Sequence, residues 1–162
     1  MEDRTERGKQ WLENLLTLMG VSTTVRSEGF DIIAEDKESC WLNISTENLT
    51  PEQVQLLIGK KGQSIDAVQY LANTLLNLFQ DSDVQNSYTI ELNGYRVRRY
   101  QELLKIVDTA AAQVRATGKE TELANLSSAE RKQIHYFFQN SPDLATESRG
   151  QEPDRKLIVK MR

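Results

Sequence analysis

Apolar positions along the chain change their spacing several times, and each change marks an element. Trp11, Leu12, Leu15, Leu16 and Met19 recur at helical intervals, predicting a helix from about Thr5 to Met19 that stops at Gly20. Val21 to Arg26 reads as a weak strand and Ser27-Glu28-Gly29 as a turn; Phe30, Ile32 and Ala34 then alternate with Asp31, Ile33 and Glu35 in a better strand. Beyond the polar turn Asp36-Lys37-Glu38-Ser39, Cys40, Leu42 and Ile44 point one way in a third extended piece. Thr50 caps the next helix, with Gln53 completing a capping box, Pro51 at the first helical position, and Val54, Leu57 and Ile58 as its apolar row. Gly59 falls where a left-handed C-cap is wanted. Ser64 is the expected N-cap of a following helix with Asp66 in its first turn. Its stripe, Ile65, Val68, Ala72, Leu75 and Phe79, reaches nearly to Gln80, and Tyr88, Ile90 and Leu92 form a last strand.

Asn93-Gly94 is a turn signal, after which the pattern begins again. Tyr100, Leu103, Leu104, Val107, Ala111 and Val114 predict one face of a long helix from Arg96 to about Thr117, with Gly118 as its stop. A short strand, Glu120 to Leu123, leads to a second capping box, Ser127 with Glu130, and a helix whose apolar stripe is Ile134, Phe137 and Phe138. Leu157, Val159 and Met161 alternate in a final strand from Lys156 to Met161. The expected fold is α+β in two small domains, residues 1–93 and 94–162.

Charge supports that division. The whole chain is net −4, yet residues 1–93 carry 7 basic and 15 acidic side chains while residues 94–162 carry 13 and 9. Cys40 is the only cysteine, which excludes an internal disulfide and points to a reducing compartment; with a single histidine elsewhere, no transition-metal shell can be filled. The charged start, Met1-Glu2-Asp3-Arg4-Thr5-Glu6-Arg7, leads into no apolar signal core, and no apolar run approaches the ~20 residues needed to span a bilayer. A cytoplasmic protein without membrane contact is expected.

Against this background one stretch stands out. Between Glu38 and Tyr95 there are seven acidic residues and only two basic ones, Lys60 and Lys61, which lie together in Gly59-Lys60-Lys61-Gly62 between the two amphipathic helices. Two glycines allow a ligand close to the backbone, the following helix presents its positive end, and two lysines add charge, which is chemistry for a sugar-phosphate chain. The plainer reading is a glycine-rich link between helices. A nucleotide-binding Walker loop is excluded by spacing.

With Leu57-Ile58 before it and Ile65 after it, the stretch resembles the signature of the KH domain, in which such a loop clamps a single strand. A helix and strands before the loop and one strand after it resemble the type II arrangement. Three extended pieces precede the loop where that pattern has two. In the second domain, Arg131 and His135 sit one turn apart at the edge of the apolar stripe, where they can reach core and solvent. A half-buried core-edge histidine beside an arginine is the plainer reading. The later Thr146-Glu147-Ser148-Arg149-Gly150 and Arg155 shift it, because Arg-x-x-x-His, Ser-x-Gly and a further Arg before the last strand resemble the Arg-x-x-x-His (R-three-H) domain. The order of the two modules resembles the bacterial Jag family, also called the KhpB or SpoIIIJ-associated family, without that family's extra N-terminal domain.

The resemblance implies a single-stranded RNA-binding protein, with single-stranded DNA as a competing ligand and a small single-KH protein as partner. It also implies an RNA chaperone or post-transcriptional regulator linked to cell elongation and division, with no cofactor, metal or catalysis. Gly59 and Gly62 would permit close approach, Lys60 and Lys61 hold phosphates, and Ile58 and Ile65 flank the bases. Arg131 would contact phosphate or a base edge, His135 would stack or donate, and Arg149 and Arg155 would extend the basic surface. Two other classes stay open. In one, His135 is a nuclease acid or base, for which the sequence offers no second catalytic group. In the other, the first domain serves for dimerisation and RNA binding needs a partner, which its acidity favours.

Overall fold

The computed structural model describes residues 4–27, 39–81 and 84–162. The strand expected over Phe30, Ile32 and Ala34, and the turns beside it apart from Ser27 and Ser39, lie outside the described residues. The chain divides into two compact units, Met1–Val97 and Arg98–Arg162.

The described elements of the first unit are α1 (Arg4–Leu18), β1 (Val25–Arg26), β2 (Cys40–Ile44), α2 (Pro51–Ile58), α3 (Gln63–Leu75) and β3 (Tyr88–Leu92). The sheet order is β1-β2-β3, with β1 antiparallel to β2 and β2 parallel to β3 from Cys40↔Tyr88 to Ile44↔Leu92. Parallel neighbours need a crossover, and α2, the Gly-Lys-Lys-Gly turn and α3 supply it. Leu12 and Leu16 of α1 close on Leu42, Ile90, Leu92 and Ile65. That helix crosses the sheet at Gly8, where a Cβ would fall 2.7 Å from Tyr88 Cε1. Met19 is half exposed rather than part of this core.

Helix α3 departs from the expected stripe. It ends at Leu75, its buried row is Ile65, Ala72 and then Leu76, and Phe79 is 91% exposed. The cause is an adjoining amide row, Gln69, Asn73 and Asn77, spaced one turn apart. Asn73 donates to the Tyr88 carbonyl and accepts from the Tyr88 N–H, both at 2.8 Å, and Gln69 accepts from the Ile90 N–H at 2.9 Å. Asn77 grips the Asn86 backbone in the same way, at 2.8 Å in each direction. These amides satisfy the outer edge of β3, which would otherwise be a row of open backbone groups. They also fix the rotation of α3, leaving Leu75 and Phe79 facing outward.

α4 (Tyr95–Thr117) begins at the end of the first unit, where the buried Glu91 carboxylate accepts from the Arg96 N–H at 3.1 Å. The second unit continues with β4 (Thr121–Leu123), α5 (Ser128–Gln139), β5 (Leu144–Arg149) and β6 (Lys156–Met161) in an antiparallel sheet ordered β4-β6-β5. Leu103, Val107, Ala111 and Val114 of α4 pack with Ile134, Phe138, Leu144, Leu157 and Val159. Leu104 and Met161, expected in this core, lie at its margin and are partly exposed. β5 is the element the hydrophobic pattern did not show, since it carries one large apolar residue, Leu144, and is stabilised by pairing with β6 along its whole length.

Candidate nucleic-acid interface

The capping box at Thr50 is formed as expected: Gln53 N–H donates to Thr50 Oγ1 at 3.2 Å and Thr50 N–H to Gln53 Oε1 at 2.9 Å. At the other end of α2 the outcome differs from a left-handed cap. Gly59 has φ 74° and ψ 172°, a region open essentially to glycine, and a Cβ there would fall 2.8 Å from Ser64 Cβ. Lys60–Gly62 then form a single 3-10 turn, closed by Gly62 N–H to Gly59 O at 3.2 Å and by Gln63 N–H to Lys60 O. Gly62, left-handed at φ 75°, is the N-cap of α3. Ser64, expected in that role, lies inside the helix with its side chain against Gly59.

This turn displays Lys60 and Lys61 to solvent, and among the described residues neither makes an ion pair. Asp66, the acid closest in sequence, is tied to Arg96 at 2.6 Å, so the carboxylate that would repel a phosphate is neutralised. Ile58 is half-buried against the core. Ile65 is 1% exposed, a foundation beneath the turn and not one wall of an open groove. The glycines have a further reason, absent from the motif: Gly62 lies under the ring of Tyr95, whose hydroxyl faces the Lys61 carbonyl at 3.5 Å.

In the second unit the Ser127–Glu130 capping box starts α5 as expected, with Ser127 N–H to Glu130 Oε2 at 2.8 Å. Arg131 is not at the edge of the stripe. It is 4% exposed, its Nη1 donates to the Leu126 carbonyl at 2.7 Å and its Nη2 pairs with Glu152. His135 is half-buried, with Nδ1 2.6 Å from Thr146 Oγ1 and Nε2 3.1 Å from Ser148 Oγ. Hydroxyls donate or accept as required, so this pair accommodates either tautomer and the imidazolium. Burial, then the charges of Arg131 and Arg155, hold the His135 pKa below its usual value.

Arg155 is exposed and near enough for its charge to act on His135, whereas Arg149 stands apart. Alternation along β5 puts Thr146 and Ser148 on the face turned to α5 and Glu147 and Arg149 on the opposite one. There Arg149 is engaged by Glu120 at 2.7 Å and by Glu147, contacts that raise its pKa further. Lys160–Glu147 and Lys156–Glu122, at 2.6 and 2.7 Å, complete a layer of ion pairs on the face that carries the buried Ile158. The structure therefore groups Arg131, His135 and Arg155 and leaves Arg149 out. Thr146 and Ser148 are the partners that motif spacing did not assign. Among the described residues, no three His, Cys, Asp or Glu side chains stand together as metal ligands would.

The chain holds two α+β units, the first built around a glycine-bounded lysine turn and the second around an Arg-x-x-x-His helix, and residues 101–161 match the family model of the Arg-x-x-x-His (R-three-H) domain. The RNA-binding protein KhpB of Lactiplantibacillus plantarum is 36% identical over 118 residues, covering 73% of this chain and 36% of that protein. KhpB of Bacillus subtilis is 31% identical over 114 residues, covering 69% and 54%, and KhpB of Clostridium symbiosum 30% over 115, covering 71% and 51%. Over the matched residues the chain is similar to these KhpB proteins. It spans about a third to a half of the length of these curated relatives.

Proposed function

We propose that this protein binds single-stranded RNA, through the Gly-Lys-Lys-Gly turn of a type II KH domain (residues 1–93) and through the His135 side of an R-three-H domain (residues 94–162). The observation that carries the reading is the pair of lysines at 60 and 61, exposed on a backbone that glycine makes possible and without a carboxylate partner among the described residues. The names of the relatives support it, since each is an RNA-binding protein. Ile58 borders the contact and Ile65 supports it. In the second domain His135 and Arg155 face the RNA with Arg131 behind them, and Arg149 contributes less than motif spacing suggests. The role is binding without turnover, that of an RNA chaperone or post-transcriptional regulator in the cytoplasm, with links to cell elongation and division. No helix of the described residues is long and apolar enough to cross a membrane. Ultraviolet crosslinking to single-stranded RNA of randomised sequence, followed by peptide mapping, tests this. Crosslinks in the segment holding Lys60 and Lys61 and in that holding His135 are expected. Crosslinks confined to other segments, or RNA cleavage lost with His135→Ala in a folded protein, overturn it.

A second reading has its own observation. Leu71, Leu75, Leu78 and Phe79 form an exposed apolar row on α3 and the turn after it, and no charged residue occurs from Ala67 to Gln80 in a chain that is 27% charged. Such a face fits a protein partner, a second copy or a small single-KH protein, with RNA affinity developing in the assembly. Sedimentation and RNA titration, with and without the partner and with Phe79→Asp, separate the readings. Tight binding by a monomer favours the first.

A further inference from the structure

Lys61 is the one residue of the turn that holds a left-handed backbone, φ 53° and ψ 30°, without being glycine. L side chains disfavour that region, and a residue stays there only when its surroundings leave no alternative. Two backbone hydrogen bonds close the turn, but neither involves Lys61's own N–H or carbonyl. A further constraint among the described residues is Tyr95, the first residue of α4. Its hydroxyl end fills the space beside Gly62, where a Cβ would meet the Tyr95 hydroxyl first and lie 2.5 Å from Cζ, and the same hydroxyl faces the Lys61 carbonyl at the long limit of hydrogen bonding.

The ring is in turn held from behind. It packs against the core of its unit, and the Arg96 guanidinium carbon lies 5.5 Å from its centroid. Arg96 is anchored by Asp66 at 2.6 Å, by the Ile90 carbonyl at 3.0 Å and, through its own N–H, by buried Glu91. An aromatic ring backed by so many fixed groups presses on the turn from a rigid seat.

We propose that Tyr95 is a positioning residue for the Gly-Lys-Lys-Gly turn: its side chain keeps Lys61 in the left-handed backbone that presents both lysines to a phosphate chain. This rests on the turn being an RNA contact. Without the ring the turn samples other conformations, and if the competent fraction falls to about a tenth, the apparent Kd rises about tenfold while the contacts made in the complex stay the same.

The test uses the full chain, labelled single-stranded RNA of randomised sequence, several salt concentrations and thermal unfolding of every variant. Tyr95→Ala should weaken binding about tenfold with an unchanged salt dependence, and Tyr95→Phe, which keeps the ring and loses the hydroxyl beside Gly62 and Lys61, should fall between Tyr95→Ala and wild type. If Tyr95→Ala does not fold, Tyr95→Leu, which keeps apolar contact with the core, takes its place. In a Lys61→Gly background the loss of the ring should cost little, since glycine holds the left-handed backbone unaided. Wild-type binding by Tyr95→Ala, or an equal loss in the Lys61→Gly background, overturns the proposal. A Lys60→Asp, Lys61→Asp protein checks the reading beneath it. Undiminished binding there removes the turn as an RNA contact, whereas weakened binding there beside an inert Tyr95→Ala removes only the role of Tyr95.

Discussion

Replacing Arg131 with alanine should damage the fold of the second unit before it touches nucleic acid. The guanidinium is the donor to the buried Leu126 carbonyl, and an orphaned buried carbonyl costs about 1–3 kcal/mol. The two methylenes lost from the stem, Cγ and Cδ, almost wholly enclosed, contribute up to about 1.6 kcal/mol at ~0.8 each. Two effects act against these: the guanidinium's own desolvation is relieved, and Glu152, with its side chain 59% exposed, rehydrates. A net loss of about 2–3 kcal/mol remains, which in a unit the size of Arg98–Arg162 lowers the unfolding midpoint by roughly 10–20 °C. Trp11 and Trp41 both belong to the first unit, so tryptophan emission follows that unit and far-ultraviolet ellipticity follows both. Arg131→Ala should move the part of the ellipticity change that emission does not share. Arg131→Met, which keeps an apolar stem, should recover about half of the loss. A shift within about 0.5 kcal/mol for Arg131→Ala would refute this account of Arg131 and return it to the surface as a direct RNA ligand.

Other expectations follow from the same geometry. The folded state lowers the pKa of His135, so its stabilising contribution is fully present above the unfolded value near 6.5 and is lost as pH falls through the folded value. Urea midpoints between pH 7.5 and 5.5 should show a decline that His135→Gln removes. A phosphate placed beside the ring opposes that lowering, so RNA affinity should rise as pH falls over the same interval, and His135→Gln should flatten the rise. Gly62→Ala puts a side chain into the Tyr95 ring on a backbone with φ 75°, and should lower the melting temperature of the first unit more than Lys61→Ala does. Arg155→Ala should weaken RNA binding about fourfold near physiological salt, the worth of one single-strand phosphate contact, while Arg149→Ala, already held by Glu120 and Glu147, should change it less than twofold.

Much of this was legible in the chain because it rests on local rules. Both capping boxes, Thr50 with Gln53 and Ser127 with Glu130, form as their spacing requires. The features that were not legible are set across the chain. The rotation of α3 depends on Gln69, Asn73 and Asn77 finding the backbone of β3, a match that helical periodicity alone cannot register. β5 is a strand because β6 pairs with it, whatever its polarity. Arg131 is i−4 to His135 and so shares its side of α5, yet its burial is set by the Leu126 carbonyl and Glu152, which spacing does not reveal. The turn was recognisable from two glycines and two lysines, while Tyr95, which explains one of those glycines, carried no motif of its own.

The central claim, that the first unit grips a single-stranded phosphate chain at Lys60 and Lys61, is tested most directly by salt titration of RNA binding in wild type and in Lys60→Asp, Lys61→Asp. Both side chains are exposed and both glycines are kept, so the fold and the melting temperature should be preserved. Each single-strand phosphate contact contributes about −0.7 to the slope of log K against log salt, so losing two should flatten it by roughly 1 to 1.5 units, with weaker binding at every salt concentration. An equal melting temperature, affinity and slope in the two proteins would contradict the account and leave the turn as a connector between two helices.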